Sequence, residues 1–322
     1  MDMTAIHALI SRDMEQVDVL VQQQLRSGVT LIDQCGHYIV NSGGKRLRPA
    51  LALLSAKSFA YQGQQHIDLA AIIEIVHTAT LLHDDVVDAS QLRRGKLTAN
   101  QRWGNEASVL VGDFLYSRAF QMMVDINSGK VMQVLADATN TIAEGEVQQL
   151  LNRHDPDTSE TQYLEVIHNK TAKLFEAAAR LGTVIAGQDE AAELALATYG
   201  KHLGIAYQLI DDLLDYSASS DLLGKNIGDD LAEGKPTLPL LYAMWHGTPS
   251  QSAEIRRAIE NGGLQALQQI TDAIEQTGAL TYTAQRAQQE AALAMQAIAG
   301  LAASEYKTAL HTLAAFATRR TH

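Results

Sequence analysis

A single cysteine, Cys35, among 322 residues leaves no possibility of a disulfide within the chain, and a reducing compartment suits it. Prolines number only five and aromatic residues 5% of the chain, while Ala, Leu and Gln are abundant. Runs that alternate apolar with polar are scarce, and apolar residues recur instead at helical spacing, which predicts an all-α fold. Positive charge is also short, with 25 Lys and Arg against 37 Asp and Glu and a net charge of −12. That balance argues against nucleic acid as a partner and against an anionic membrane surface held by charge alone. No apolar run nears the length of a membrane span, and the acidic start Met1-Asp2-Met3-Thr4 carries no secretory signal, so a soluble protein of the cytoplasm is expected. No repeat, composition shift or long Pro/Gly/Ser linker divides the chain, so a single domain over residues 1–322 is expected.

What is present concentrates in one stretch, Leu81-Leu82-His83-Asp84-Asp85-Val86-Val87-Asp88, followed closely by Arg93-Arg94-Gly95. An apolar helical run ends there in three acids. With 3.6 residues per turn, Asp84 and Asp88 stand one above the other on a single face, with Asp85 beside them. Carboxylates held that close favour a cation, and rigid oxygen donors suit Mg²⁺, which keeps several waters and completes its shell with phosphate oxygens. One such string is common on solvated helices. Here the spacing recurs in Tyr207-Gln208-Leu209-Ile210-Asp211-Asp212-Leu213-Leu214-Asp215, again after an apolar helical run. Two copies predict two helices whose carboxylate ends face each other across a cleft, holding metal against a diphosphate.

In so acidic a chain, clustered cations carry information. Asn41-Ser42-Gly43-Gly44-Lys45-Arg46-Leu47-Arg48-Pro49 is a glycine turn leading into a helix start, where Lys45 and Arg48 lie one turn apart and can grip one phosphate group. His77 lies two helical turns before Asp84 on a similar face, as a core histidine or as a diphosphate contact. A helix over about 130–151 carries Glu144, Glu146 and Gln149, and the helix after the loop at 152–158 carries Lys170 and Thr171, a charge and a hydroxyl for phosphate or reacting carbon. Residues 224–237, rich in glycine and charge, read as a lid carrying Lys225 and Lys235. Residues 4–26 read as one amphipathic helix, and the stretch from about 238 onward as helices without an assignable motif.

Assembled in this order and spacing, Gly43 to Pro49, Leu81 to Gly95, Gly112 to Leu115, Lys170-Thr171, Tyr207 to Tyr216 and Gly224 to Pro239 resemble the trans-isoprenyl diphosphate synthases, most of all the bacterial long-chain members that supply quinone side chains. The residues alone give anion sites around metal. The resemblance implies more: the isoprenoid synthase fold, an antiparallel helix bundle around a cavity, in a homodimer. It further implies Asp84, Asp88 and Asp211 as direct ligands of a cluster of about three Mg²⁺ ions, with Asp85, Asp212 and Asp215 orienting metal-bound water. Isopentenyl diphosphate is then gripped by Lys45, Arg48, His77 and Arg94. Arg93, Lys170, Thr171, Gln208, Lys225 and Lys235 attend the allylic partner, farnesyl diphosphate, and its nascent cation.

Product length in such an enzyme follows from how far an apolar tunnel runs along the helix leading into Asp84. Val76, Ala79 and Thr80 leave that wall without an aromatic plug, and Met123 is a candidate floor. About thirteen helical residues give about 20 Å of tunnel, so a long product is expected.

Overall fold

In a computed structural model of the chain, residues 1–217, 228–262 and 264–319 are described. The described chain is helical apart from one two-stranded ribbon, as the apolar spacing requires. It gathers into two compact units, the first made of Met1–Asp137, Leu174–Thr198 and Ile298–Thr312, the second of Ala138–Lys173, Tyr199–Ala297 and Leu313–His322.

In the first unit, α1 (Met3–Leu9), α2 (Ser11–Gln24), α3 (Thr30–Val40) and α4 (Leu47–Lys57) lead to α5 (Gln65–Val87), its axis. Leu69 to Val76 are buried without interruption, and a helix apolar on every side belongs inside. α2, α4 and α7 (Asn105–Asp125) pack around it. The expected helix over 4–26 is broken at Ile10, whose backbone leaves helical geometry at φ −113° and ψ 12°. On both sides of the break one face is buried, Ile6 and Ile10 with Val17, Val21 and Leu25. Between α5 and α6 (Ala99–Trp103) the chain pairs β1 (Leu92–Arg93) with β2 (Lys96–Leu97), antiparallel, a ribbon that the sequence did not signal. The two turn residues, Arg94 and Gly95, both take positive φ (54° and 74°), the backbone twist that suits a two-residue hairpin.

α8 (Gly129–Asn152) follows α7. In the second unit, α9 (Glu160–Ile167) opens on a capping box, Ser159 with Gln162, and does not run on as the plain helix the sequence predicts. Residues His168–Ala172 widen into a π turn before α10 (Lys173–Ile185) resumes α geometry. α11 (Glu190–Leu214) carries the second acidic string. After α12 (Asp229–Ala232) comes α13 (Leu238–His246), whose Leu238, Leu240, Leu241 and Ala243 are fully buried. α14 (Pro249–Asn261), α15 (Leu267–Gln276) and α16 (Ala279–Ala297) pack against it, and α17 (Glu305–Ala317) is the last helix. Among the described residues, no helix is long and apolar enough to cross a membrane.

Candidate active site

At the end of α5 the three acids separate by burial: Asp84 and Asp88 are half-buried, whereas Asp85 has no exposed surface. Asp88 caps the helix, its N–H donating to the Asp84 carbonyl at 2.8 Å, so the pair is stacked on one face as the spacing predicts. Arg93, on β1, reaches back with Nε and Nη2, both donating to Asp85 Oδ1 at 3.0 and 2.8 Å. The ribbon that sequence reading missed is therefore what aims this guanidinium. Burial raises the Asp85 carboxyl above its usual range, and the Arg93 charge opposes that rise. The Asn100 amide donates to the Asp85 carbonyl, a further brace that no spacing in the sequence signals.

Of the residues expected to grip isopentenyl diphosphate, the first unit brings Arg48, His77 and Arg94 near one another. Arg48 Nη1 donates to His77 Nε2 at 3.1 Å, and its guanidinium stacks over the Phe175 ring at 4.4 Å. A histidine that accepts a hydrogen bond is neutral at that nitrogen. Burial first, and then the charges of Arg48, Arg93, Arg94 and Arg46, hold His77 well below its ordinary value. Arg94 lies against Gly44, where a Cβ would come within 3.0 Å of the guanidinium, and Gly44 itself sits at φ +152°. Backbone geometry is what favours glycine there, since an added Cβ would only press on the movable end of the arginine. Lys45 is exposed. Arg46, the middle cation of the string, turns away: it takes left-handed backbone (φ 49°) and its guanidinium pairs with buried Glu74. Left-handed geometry costs a non-glycine residue about 1–2 kcal/mol, and this ion pair offsets it. Of the chain-length candidates, Val76, Ala79 and Met123 are buried, while Thr80 is half-buried with its hydroxyl donating to the His77 carbonyl.

The end of α11 repeats the burial pattern, with Asp211 and Asp215 half-buried and Asp212 buried. Its supports differ. Tyr163, from α9, donates its hydroxyl to Asp212 Oδ2 at 2.5 Å, and Gln208 Nε2 donates to Asp212 Oδ1 at 2.7 Å. Gln208 Oε1 in turn accepts from the Thr171 hydroxyl at 3.0 Å. Burial and the nearby Asp230 charge push the Asp212 carboxyl up to about 7, although the Tyr163 and Gln208 hydrogen bonds act against this. Asp215 Oδ2 accepts from the Asp230 N–H, and the Asp215 carbonyl from the Gly228 N–H, so this acid anchors residues 228–230. Within that segment Lys235 pairs with Glu233. Lys225 lies outside the described residues.

Lys170 sits in the π turn and donates to Glu146 Oε2 at 2.6 Å and Gln149 Oε1 at 2.7 Å, both on α8. Gly145 makes the crossing possible: a Cβ there would meet the Lys170 nitrogen at 2.6 Å and the Asn169 carbonyl carbon at 2.8 Å. Glu146 and Gln149 thus hold the lysine, while Glu144 stays exposed and accepts from Asn140. Sequence reading did not single out Tyr163, Gly145 or Asn100. Their signals are tertiary, a buried hydroxyl and a backbone approach, and have no periodicity to find.

Among the described residues, no three acidic, histidine or cysteine side chains converge as a preformed metal centre. The donor set still fits a hard divalent ion, because Mg²⁺ is held by one or two carboxylates with water and phosphate oxygens completing its shell. Each acidic helix end supplies half-buried carboxylates on a rigid backbone, with a pinned carboxyl between them.

Comparison with known proteins places this geometry. A family model described as polyprenyl synthetase matches residues 29–277. An octaprenyl diphosphate synthase of Escherichia coli (strain K12) is 53% identical over 321 residues, 99% of each chain. A crystal structure of a polyprenyl synthase from Caulobacter crescentus CB15, complexed with calcium and isoprenyl diphosphate, superposes with a TM-score of 0.96 at 44% identity, covering 100% of this chain and 98% of that one. A decaprenyl diphosphate synthase from Rhodobacter capsulatus gives 0.94 at 40% identity, over 99% of both chains.

Proposed function

The chain belongs to the polyprenyl synthetase family, as an all-α long-chain prenyltransferase, and on that footing we propose that it builds octaprenyl diphosphate for a quinone side chain, adding isopentenyl diphosphate units to farnesyl diphosphate. The product is taken from the Escherichia coli relative. The observation that carries the reading is the matched state of the two acidic helix ends: outer carboxyls half-buried, the middle one buried and pinned. Retention of both sets favours catalysis over a subunit that binds isoprenoid without turnover.

In this reading Asp84, Asp88 and Asp211 hold Mg²⁺, and Asp85, Asp212 and Asp215 order the water around it. Mg²⁺ held by these carboxylates would supply the positive charge that offsets the charge the allylic diphosphate gains on leaving. Lys45, Arg48, His77 and Arg94 grip isopentenyl diphosphate, the guanidiniums as planar forks and neutral His77 as a partner of Arg48. Arg93, Lys170, Gln208, Lys225 and Lys235 attend the allylic diphosphate, and the Thr171 oxygen faces the carbon that becomes positive. Once the allylic C–O bond ionises, the alkene of isopentenyl diphosphate attacks the delocalised cation. The proton then lost goes to the released diphosphate, so no side-chain base is needed.

Val76, Ala79, Thr80 and Met123 set chain length along α5 and α7. The whole chain acts as one synthase domain in the cytoplasm, as a homodimer. Val109, Leu110, Phe120 and Val124 leave an exposed apolar face along α7, suited to cover by a second copy. The test is to incubate purified protein with isopentenyl diphosphate, farnesyl diphosphate and Mg²⁺ and to size the dephosphorylated alcohols. Eight isoprene units are expected. A product stopping after one or two additions rejects the octaprenyl assignment, and no incorporation rejects the synthase.

A further inference from the structure

We propose that Tyr163 is a positioning residue for the reaction, fixing through its hydroxyl the place of a hydrogen-bonded row that ends at the Thr171 oxygen. The row lies wholly within the second unit: Tyr163 Oη to Asp212 Oδ2 (2.5 Å), Gln208 Nε2 to Asp212 Oδ1 (2.7 Å), and Thr171 Oγ1 to Gln208 Oε1 (3.0 Å). Tyr163 is 5% exposed and packs in the core of that unit, so its hydroxyl is held in place by the ring.

Each member constrains the next. Asp212 accepts at both oxygens, from the Tyr163 hydroxyl on the α9 side and from the Gln208 NH₂ at the other. Gln208 must therefore turn its NH₂ toward Asp212, which leaves its carbonyl oxygen toward Thr171. The Thr171 hydroxyl then spends its proton on Gln208 and keeps its lone pairs for what lies beyond. An oxygen with free lone pairs stabilises developing positive charge at an allylic carbon, whereas an outward O–H repels it. Without the Tyr163 hydroxyl the Asp212 carboxyl loses one of its two fixed donors. The carboxyl can then swing about its own side-chain torsions, and Gln208 and the Thr171 oxygen that lean on it shift with it. The sequence gives no hint of this, because Tyr163 and Asp212 are 49 residues apart.

The inference rests on the reading that Thr171 and Asp211 attend the allylic diphosphate. Tyr163→Phe keeps the ring and deletes one oxygen. In steady-state assays of the full-length protein with isopentenyl diphosphate, farnesyl diphosphate and Mg²⁺, kcat should fall about tenfold, which corresponds to about 1.4 kcal/mol. The KM for isopentenyl diphosphate should stay unchanged, a split that general damage to the fold does not give. Because Tyr163 acts through Gln208, the double variant Tyr163→Phe with Gln208→Ala should be no slower than Gln208→Ala alone. A wild-type kcat in Tyr163→Phe, or losses that multiply in the double variant, overturns the positioning role. Asp211→Ala, assayed alongside, separates the two levels. If it retains turnover, the underlying reading fails; if it is inactive while Tyr163→Phe is unimpaired, only the role of Tyr163 falls.

Discussion

The acidic ends of α5 and α11 share the same spacing and the same alternation of half-buried and buried carboxyls, yet their middle acids are held by different chemistry. Asp85 is neutralised by a guanidinium, Arg93, with two donors on one oxygen. Asp212 has a phenol and an amide, Tyr163 and Gln208, and its carboxyl is pushed up to about 7. A buried charge is tolerated when it is paired or well hydrogen-bonded, and the two ends exemplify the two solutions. The lesson is that one acid spacing fixes which carboxyls are buried and which are half-buried but leaves the electrostatics of each copy to its neighbours. The first end carries its own compensating charge, whereas the second relies on neutral donors and holds its middle acid closer to protonation.

The sharpest way to break this comparison is to ask whether either end is dispensable. Asp84→Ala and Asp211→Ala should each lower kcat by at least about 10²–10³-fold, measured with saturating Mg²⁺. Near-normal turnover in either variant removes that end from the metal site. Next in size is the cost of the two kinds of support, read by urea unfolding without substrate. Arg93→Met strands the Asp85 charge in the interior and should cost about 3–5 kcal/mol. Tyr163→Phe removes a single hydrogen bond and should cost about 1–3 kcal/mol. Equal costs would mean that the guanidinium and the phenol do the same job.

Product length separates the two units in another way, since all four chain-length candidates belong to the first. Ala79→Tyr should shorten the product while the first condensation continues, whereas substitutions around Asp212 should change rate and leave length alone. Chromatography of radiolabelled alcohols reads both, and an unchanged length in Ala79→Tyr rejects the tunnel. The smallest effect expected is on pH. His77 is held below its ordinary 6.5, so the folded state resists its protonation. Its contribution to stability is present above about 6.5 and is lost as pH falls toward the folded-state value. Melting temperature should therefore decline below that point, and His77→Gln should flatten the decline; an unchanged slope in that variant shows that another group titrates.

Much of this was legible from residue order because charges stand out against apolar helices in a chain with few cations. The acids of α5 and α11, Arg48, His77 and Lys170 all announce themselves by spacing or by local contrast. The π turn, the ribbon at residues 92–97 and the break at Ile10 were not legible, since each depends on what the backbone meets in space. Arg94 illustrates the difficulty. Two-residue hairpins are signalled by Asn-Gly or Asp-Gly, and an arginine at the first turn position hides the motif. Gly145 is another case: it reads as a weak point inside a helix, and only the crossing of α8 over residues 169–170 explains it.

That crossing has a consequence for how the protein can be altered. A π turn amounts to one surplus residue in a helix, and each residue advances an α-helix by about 100°. Deleting Asn169 would restore uniform winding and swing the ammonium of Lys170 off the α8 side chains, leaving every carboxylate untouched. The enzyme could be silenced by subtraction alone, at a place where no charge has been changed.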